Sequence, residues 1–269
     1  MMQIPHECIN RIPFDNPKPL TAHILLNTEC NLGCDGCFYR KREPKEIRLQ
    51  DLTLLLKDLA LGGVRSVAFG GGEPMLYSMI DSAVAEARSL GLYVAVTTNP
   101  TTRHVFSIPP DRIHVSYSAM HYRAIRKTGA LPFDELKKAL KFYGGQAMTI
   151  GINYIYENFA HFKLLNELTP EADTFTILLK KPVEKRQRKP DYWAPMFEYI
   201  KEDRERFWID ACLVKLVKGT HCRQGISSLS IDQNLFAHRC SNTERAWPYT
   251  TLKETWEQVK TFDECILSG

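Results

Sequence analysis

The chain has 269 residues, 44% of them hydrophobic and 25% charged, with a formal net charge of +4. This is the composition of an ordinary globular protein of one large domain, or of a large and a small one. No apolar run approaches the ~18 residues that span a bilayer, and so slight a charge does not argue for nucleic acid.

Pro5, Pro13, Pro17 and Pro19 block regular helix near the start, so residues 1–20 read as an extended lead-in. That segment has no basic-then-apolar leader, and eight cysteines in such a chain point to a reducing, cytoplasmic location. Short β-branched runs then alternate with helix-length segments, the pattern of βαβ units and a parallel sheet. Strands are predicted over 21–27, 64–69, 92–99, 112–118, 147–155 and 173–180. Helices are predicted over 49–61, 77–90, 133–143, 159–168 and 191–205. In the first of these Leu52, Leu55, Leu56 and Leu59 carry the helical period, and Gly62-Gly63 end it. The expected fold class is α/β, with six strands instead of the eight of a closed barrel. In the tail, 229–231 and 235–237 read as a hairpin around Asp232-Gln233-Asn234, and 251–259 as a short helix. The expected division is a lead-in (1–20), a barrel (21–190), a linking helix (191–206) and a tail module (207–269).

Directly after the first strand comes Cys30-Asn31-Leu32-Gly33-Cys34-Asp35-Gly36-Cys37. Spacings of three and two residues bring three thiolates round one corner of a cubic iron–sulfur cluster. Electron carriers normally supply a thiolate to every iron, so three local cysteines leave one iron open to a ligand. A structural zinc site presents ligands in two close pairs, and here only Cys34–Cys37 fits. A disulfide framework suits small secreted domains, whereas this chain is large enough to bury a core. Cys8 has no partner pattern and reads as structural.

This run resembles the C-x3-C-x2-C signature of the radical S-adenosylmethionine (SAM) enzymes. Val67-Ala68-Phe69-Gly70-Gly71-Gly72-Glu73-Pro74, some thirty residues on, resembles that family's Gly-Gly-Glu-Pro motif. The resemblance implies a partial (βα)6 barrel with its chemistry at the C-terminal strand ends, where the cysteine loop, 70–74, 97–99 and 116–118 all fall. It also implies a [4Fe-4S] cluster on Cys30, Cys34 and Cys37, with SAM on its open iron. Reductive cleavage of SAM then gives a radical that abstracts a hydrogen atom. A flavodoxin or ferredoxin type of electron donor is implied as partner, because the reaction needs the reducing end of the cluster range.

By the same resemblance Gly70, Gly71 and Gly72 expose backbone to the SAM amine, and Glu73 either accepts from that amine or holds the loop. Ser116 and Ser118 resemble residues that bond the ribose or the methionine carboxylate, and Asn99 lies at the neighbouring strand end. A serine on a strand is as readily innocent. Arg126 matches an arginine that some relatives aim at the SAM carboxylate, and reads equally well as a solvated helix residue. One departure is Gly36, where the family commonly has an aromatic beside the adenine. Phe38 or a later apolar residue is expected to take over that packing.

Cys212, Cys222, Cys240 and Cys265 occupy the last sixty residues. The stretch 222–240 resembles the C-x2-G…I-D-x2-G…C hairpin of SPASM and twitch modules, with Asn234 where a glycine of φ > 0 often stands. A twitch-like module with a second [4Fe-4S] cluster is the implied reading. Buried inert thiols and a zinc site remain alternatives. Such modules accompany enzymes that modify peptides or proteins by oxidation, crosslinking or epimerisation. A small metabolite or RNA base is the alternative substrate, and a non-catalytic Fe–S or zinc module the remote one. Only about twenty residues precede the barrel, so no separate leader-peptide-binding domain is expected. The basic run 180–190 reads as a solvated linker, with a charge grip on an acidic substrate as the alternative.

Overall fold

The structure is a computed structural model that describes residues 18–37, 43–203, 205–218 and 226–261. In chain order β1 is Thr21–Asn27, α1 Leu49–Leu61, β2 Ser66–Gly71, α2 Ile80–Ser89 and β3 Tyr93–Thr98. β4 (Arg112–Tyr117), α3 (Ala119–Lys127), α4 (Pro132–Gly144), β5 (Thr149–Ile155), α5 (Phe159–Leu168) and β6 (Thr174–Leu178) follow. α6 (Pro190–Ile200), β7 (Phe207–Ile209), α7 (Ala211–Lys218), β8 (Ser228–Ile231), β9 (Phe236–His238), β10 (Trp247–Pro248) and α8 (Leu252–Lys260) complete the described elements.

The fold is α/β with parallel strands and an open sheet, and all six expected strands are present. Two compact units form. The first comprises Met1–Glu29, Arg42–Ala95 and Arg223–Gly269; the second comprises Cys30–Lys41 and Val96–Cys222.

In the first unit β1 pairs in parallel with β2 on one side and with β8 on the other. β9 and β10 continue antiparallel to the edge. α1 buries Leu52, Leu55, Leu56 and Leu59, the four leucines at helical spacing. Gly62 ends it because α8 docks there: a Cβ on Gly62 would lie 2.3 Å from Leu252 Cδ2. The Asp58 carboxylate accepts from the Leu252 N–H at 2.6 Å and the Tyr249 hydroxyl at 2.5 Å, tying tail to helix.

In the second unit β4, β5, β6 and β7 pair in parallel. Burial alternates along β4. Ile113, Val115 and Tyr117 are buried, whereas Arg112, His114 and Ser116 on the other face are half-buried. An aromatic core fills behind the sheet, with Phe162 5.5 Å from Phe207 and 5.9 Å from Tyr154 and Tyr199, centroid to centroid.

Several elements depart from expectation. The helix expected over 191–205 stops at Ile200, since residues 201–206 are all charged and give its buried stripe of Trp193, Met196 and Ile200 nothing apolar to continue on. β7 and α7 follow instead. α3 is absent from the predicted helix ranges, although the cysteine loop packs on it and one reading of Arg126 puts that residue on a helix. In the tail hairpin the left-handed residue is Leu235, at φ 62, one position after Asn234. Asp232 forces this shift by accepting from both Asn234 N–H (2.9 Å) and Phe236 N–H (3.0 Å).

Candidate active site

The cysteine loop belongs to the second unit and is held by side chains. Leu32 and Cys34 are buried in one cluster with Ala124 and Ile125 of α3, and Cys37, Met120 and Ala130 pack at its border. Cys30 is exposed, and its sulfur accepts the Leu32 N–H at 3.4 Å. The Cys37 N–H reaches the Cys34 carbonyl at 3.3 Å, closing a turn in which Gly36 has φ +81. This accounts for the missing aromatic. A Cβ at Gly36 would meet nothing within 4 Å, so conformation and not space selects glycine there. Lys127 pairs with Asp35 at 3.3 Å, both well exposed.

Asn99 ties this loop to the end of β3. Its side-chain amide donates to Asn31 Oδ1 at 2.7 Å, and its own oxygen accepts from the Thr101 N–H at 2.9 Å and hydroxyl at 2.7 Å. The Asn31 amide in turn donates to the Thr101 hydroxyl at 2.8 Å. Sequence reasoning missed Asn31 and Thr101; Asn99-Pro100-Thr101 is the kind of Asx-turn signal that could have found them.

The glycine strip belongs to the first unit and is held by main chain. The Gly72 N–H donates to the Asn27 carbonyl (2.9 Å) and the Glu73 N–H to the Glu29 carbonyl (2.7 Å). A Cβ on Gly71, at φ +138, would lie 2.3 Å from the Asn27 oxygen, and one on Gly72 2.1 Å from the Glu29 oxygen. Only Gly70 faces open space, with nothing within 4 Å. Glu73, buried, caps the 3₁₀ turn Pro74–Leu76 by accepting the Met75 N–H at 3.1 Å. The Asn27 amide donates to the Glu73 carbonyl at 2.9 Å.

Ser116 stands in register with Asn153 of β5, which stands in register with Thr176 of β6, so the three share one face. Ser118 is buried at the start of α3, 2.8 Å from His121 Nδ1. Burial pushes His121 down to about 4, so the ring is neutral near pH 7. Arg126 is exposed in the last turn of α3. Phe38 lies outside the described residues, as do Cys222 and Cys265.

Of the tail cysteines, Cys212 is buried on α7 in the second unit. Cys240, in the first unit, is half-buried with its sulfur accepting from Asn242 N–H (3.5 Å) and Nδ2 (3.6 Å). Burial alone would raise the Asp232 carboxyl. Hydrogen bonds from His238, Phe236 N–H and Asn234 N–H outweigh it and hold the group below its ordinary range. Among the described residues no three His, Cys, Asp or Glu side chains gather round one point as a single ion requires.

Residues 24–168, more than half of the chain, match the Radical SAM superfamily. The chain belongs to the radical SAM superfamily. Over 86 residues it is 35% identical to the PqqA peptide cyclase of Xanthomonas oryzae pv. oryzae, covering 31% of this chain and 23% of that protein. Over 78 residues it is 32% identical to the "Probable GTP 3′,8-cyclase" of Pyrobaculum aerophilum, covering 28% and 25% respectively. The matched stretch thus spans about a quarter of these curated relatives.

Among solved structures this radical SAM enzyme is similar to Streptococcus suis SuiB bound to S-adenosylmethionine. The TM-score is 0.72 at 17% identity, over 91% of this chain and 68% of that one. It is also similar to anSMEcpe with bound AdoMet and Cp18Cys peptide, with a TM-score of 0.63 at 17% identity, over 92% and 81%. At these identities the likeness is one of fold.

The cysteine loop fits the family's cluster. It presents three cysteines outside any disulfide within eight residues, one of them accepting an N–H, and hydrogen bonds to sulfur are among the features that set cluster potentials.

Proposed function

We propose that this radical SAM enzyme cleaves SAM reductively and abstracts a hydrogen atom from a peptide or protein side chain, leading to oxidation, a crosslink or epimerisation. The observation that carries the cleavage half is the cysteine loop seated on α3 within the family-matched residues. Cys30, Cys34 and Cys37 would hold the [4Fe-4S] cluster. When bound, cluster and SAM supply a 5′-deoxyadenosyl radical by one-electron cleavage of the sulfonium. The chain's own part is to hold and shield. The apolar packing of Leu32, Cys34, Ala124 and Ile125 keeps water from one side of the loop, and Asn31, Asn99 and Thr101 fix its approach. Gly70 leaves a strand end open to a ligand's backbone-directed groups, while Gly71, Gly72 and Glu73 make that end rigid.

The peptide half is supported by the names of similar proteins: a peptide cyclase, and structures holding the SuiA precursor or the Cp18Cys peptide. A small nucleotide-like substrate is the second reading, favoured by the match to the GTP cyclase. In both readings Ser116, Ser118 and Arg126 are candidates for SAM, and Phe38 for the adenine. An auxiliary [4Fe-4S] cluster on Cys212, Cys222, Cys240 and Cys265, in a twitch-like module over 207–269 that follows the barrel at 21–190 in sequence, is part of the proposal. So are a flavodoxin or ferredoxin type of donor and a cytoplasmic location. No described helix is long and apolar enough to cross a membrane.

Deuterium transfer tests the substrate. Incubation with labelled candidate peptides should place deuterium in 5′-deoxyadenosine, whereas label arriving only from nucleotides would favour the second reading. Iron counting tests the tail. About eight irons per chain after anaerobic reconstitution are expected for two clusters, and about four, unchanged on mutating Cys212 and Cys240, would remove the second.

A further inference from the structure

SAM cleavage needs an electron from outside the chain, and tunnelling rates fall exponentially with distance. The donor must therefore meet the surface close to the cysteine loop. α3 is the helix that packs on that loop, through Ala124 and Ile125 against Leu32 and Cys34, with Cys37 at the border. The outer face of α3 exposes Arg123, Arg126 and Lys127, the last also paired with Asp35 of the loop, and Ala119–Lys127 contains no acidic residue. Tyr122, 43% exposed, adds an aromatic edge.

Resting on the radical SAM reading of the loop, we propose that the exposed face of α3 is the docking surface for an acidic one-electron donor protein. A helix is about 10 Å across, so a donor on its outer face sits roughly one helix width from the thiolates packed on its inner face. Cations there steer an acidic partner and raise its association rate. The denser basic run at 180–189 is the weaker candidate, because it contains an acid of its own, Glu184, which pairs with both Lys180 and Arg186, whereas α3 contains none. For each SAM cleaved the donor loses one electron. That electron breaks the carbon–sulfur bond, and methionine and the 5′-deoxyadenosyl radical are the products.

The test uses full-length reconstituted protein, a purified flavodoxin, and dithionite as a small reductant that needs no docking. Arg123 is the residue to reverse; Arg126 is left in place as a candidate for the SAM carboxylate. Arg123→Glu is expected to weaken flavodoxin binding about fivefold by calorimetry at low salt, with Arg123→Lys restoring it. The wild-type affinity should fall as salt is added. The flavodoxin concentration for half-maximal 5′-deoxyadenosine formation should rise in step, while the dithionite-driven rate stays at the wild-type value.

Unchanged flavodoxin affinity in both Arg123→Glu and Lys127→Glu overturns the proposal. So does an Arg123→Glu protein whose dithionite-driven rate falls as far as its flavodoxin-driven one, since Arg123 would then act on the loop. Weakened binding of an acidic peptide with flavodoxin unaffected also overturns it, by assigning the face to substrate. No SAM cleavage by the wild type with dithionite would instead bring down the cofactor reading, and the docking surface with it.

Discussion

At the end of β2 the chain is fixed by main chain lying against main chain. Gly71 and Gly72 run so close to Asn27–Glu29 that a Cβ on either would overlap a carbonyl oxygen. The cysteine loop, by contrast, is fixed by side chains: an amide network through Asn31, Asn99 and Thr101, and an apolar seat on α3. Main-chain fixing tolerates no substitution but is indifferent to neighbouring side chains. Side-chain fixing leaves Cys30 exposed and Gly36 in open space, as suits a loop that must receive a bulky inorganic group.

The sharpest way to break the comparison is Gly71→Ala. Overlap with the Asn27 oxygen at 2.3 Å adds to a φ of +138 that L-residues rarely adopt. Overpacking and a left-handed conformation together should cost about 3 kcal/mol or more in denaturant unfolding. A cost below ~1 kcal/mol would show that the strip is not built as described.

Asn99→Ala should cost less, about 2 kcal/mol, by leaving the Asn31 and Thr101 partners of a buried amide unmet. Its distinctive signature should be lower iron retention per chain after desalting, with β2 unaffected. Iron retention equal to wild type would mean that the network does not position the loop.

A smaller effect is expected from pH. His121 titrates near 4 when folded and near 6.5 when unfolded, so below pH 6.5 the unfolded chain takes up a proton that the folded chain refuses. Stability should therefore fall between pH 6.5 and 4, by about 1–2 kcal/mol once solvent screening of a half-buried ring is allowed for. His121→Gln should flatten that part of the pH–stability curve, and a curve of unchanged slope would contradict the burial argument.

The smallest change in stability belongs to Gly70→Ala, within about 0.5 kcal/mol either way, because its Cβ meets nothing. It sharpens the comparison through affinity: SAM binding to the loaded protein should weaken while Tm stays put. Undiminished SAM affinity would move the ligand away from this strand end.

Much of this was legible in the sequence because it is periodic or punctuated. The alternation along β3 and β4, the leucine stripe of α1 and the glycine stops are local signals. α3 was not, since Ala119–Lys127 buries only Ala124 and Ile125 and its partner is a loop ninety residues upstream. β7 was hidden by its three-residue length behind a wholly charged run. At the strip the motif named the right residues, but the need for glycine at 71 and 72 comes from Asn27 and Glu29, a contact that spacing alone does not reveal. In the tail, Asn234 looked like the left-handed residue by type, yet Asp232 sets the turn so that Leu235 takes that conformation.

The most direct test of the whole account is anaerobic reconstitution with iron and sulfide, reduction, and addition of SAM, with 5′-deoxyadenosine and methionine measured together. Equal amounts of the two from the wild type, and neither from a Cys30→Ala, Cys34→Ala, Cys37→Ala protein, are the predicted result. A wild-type protein that binds iron yet leaves SAM intact, or a triple variant that still cleaves it, would contradict the account.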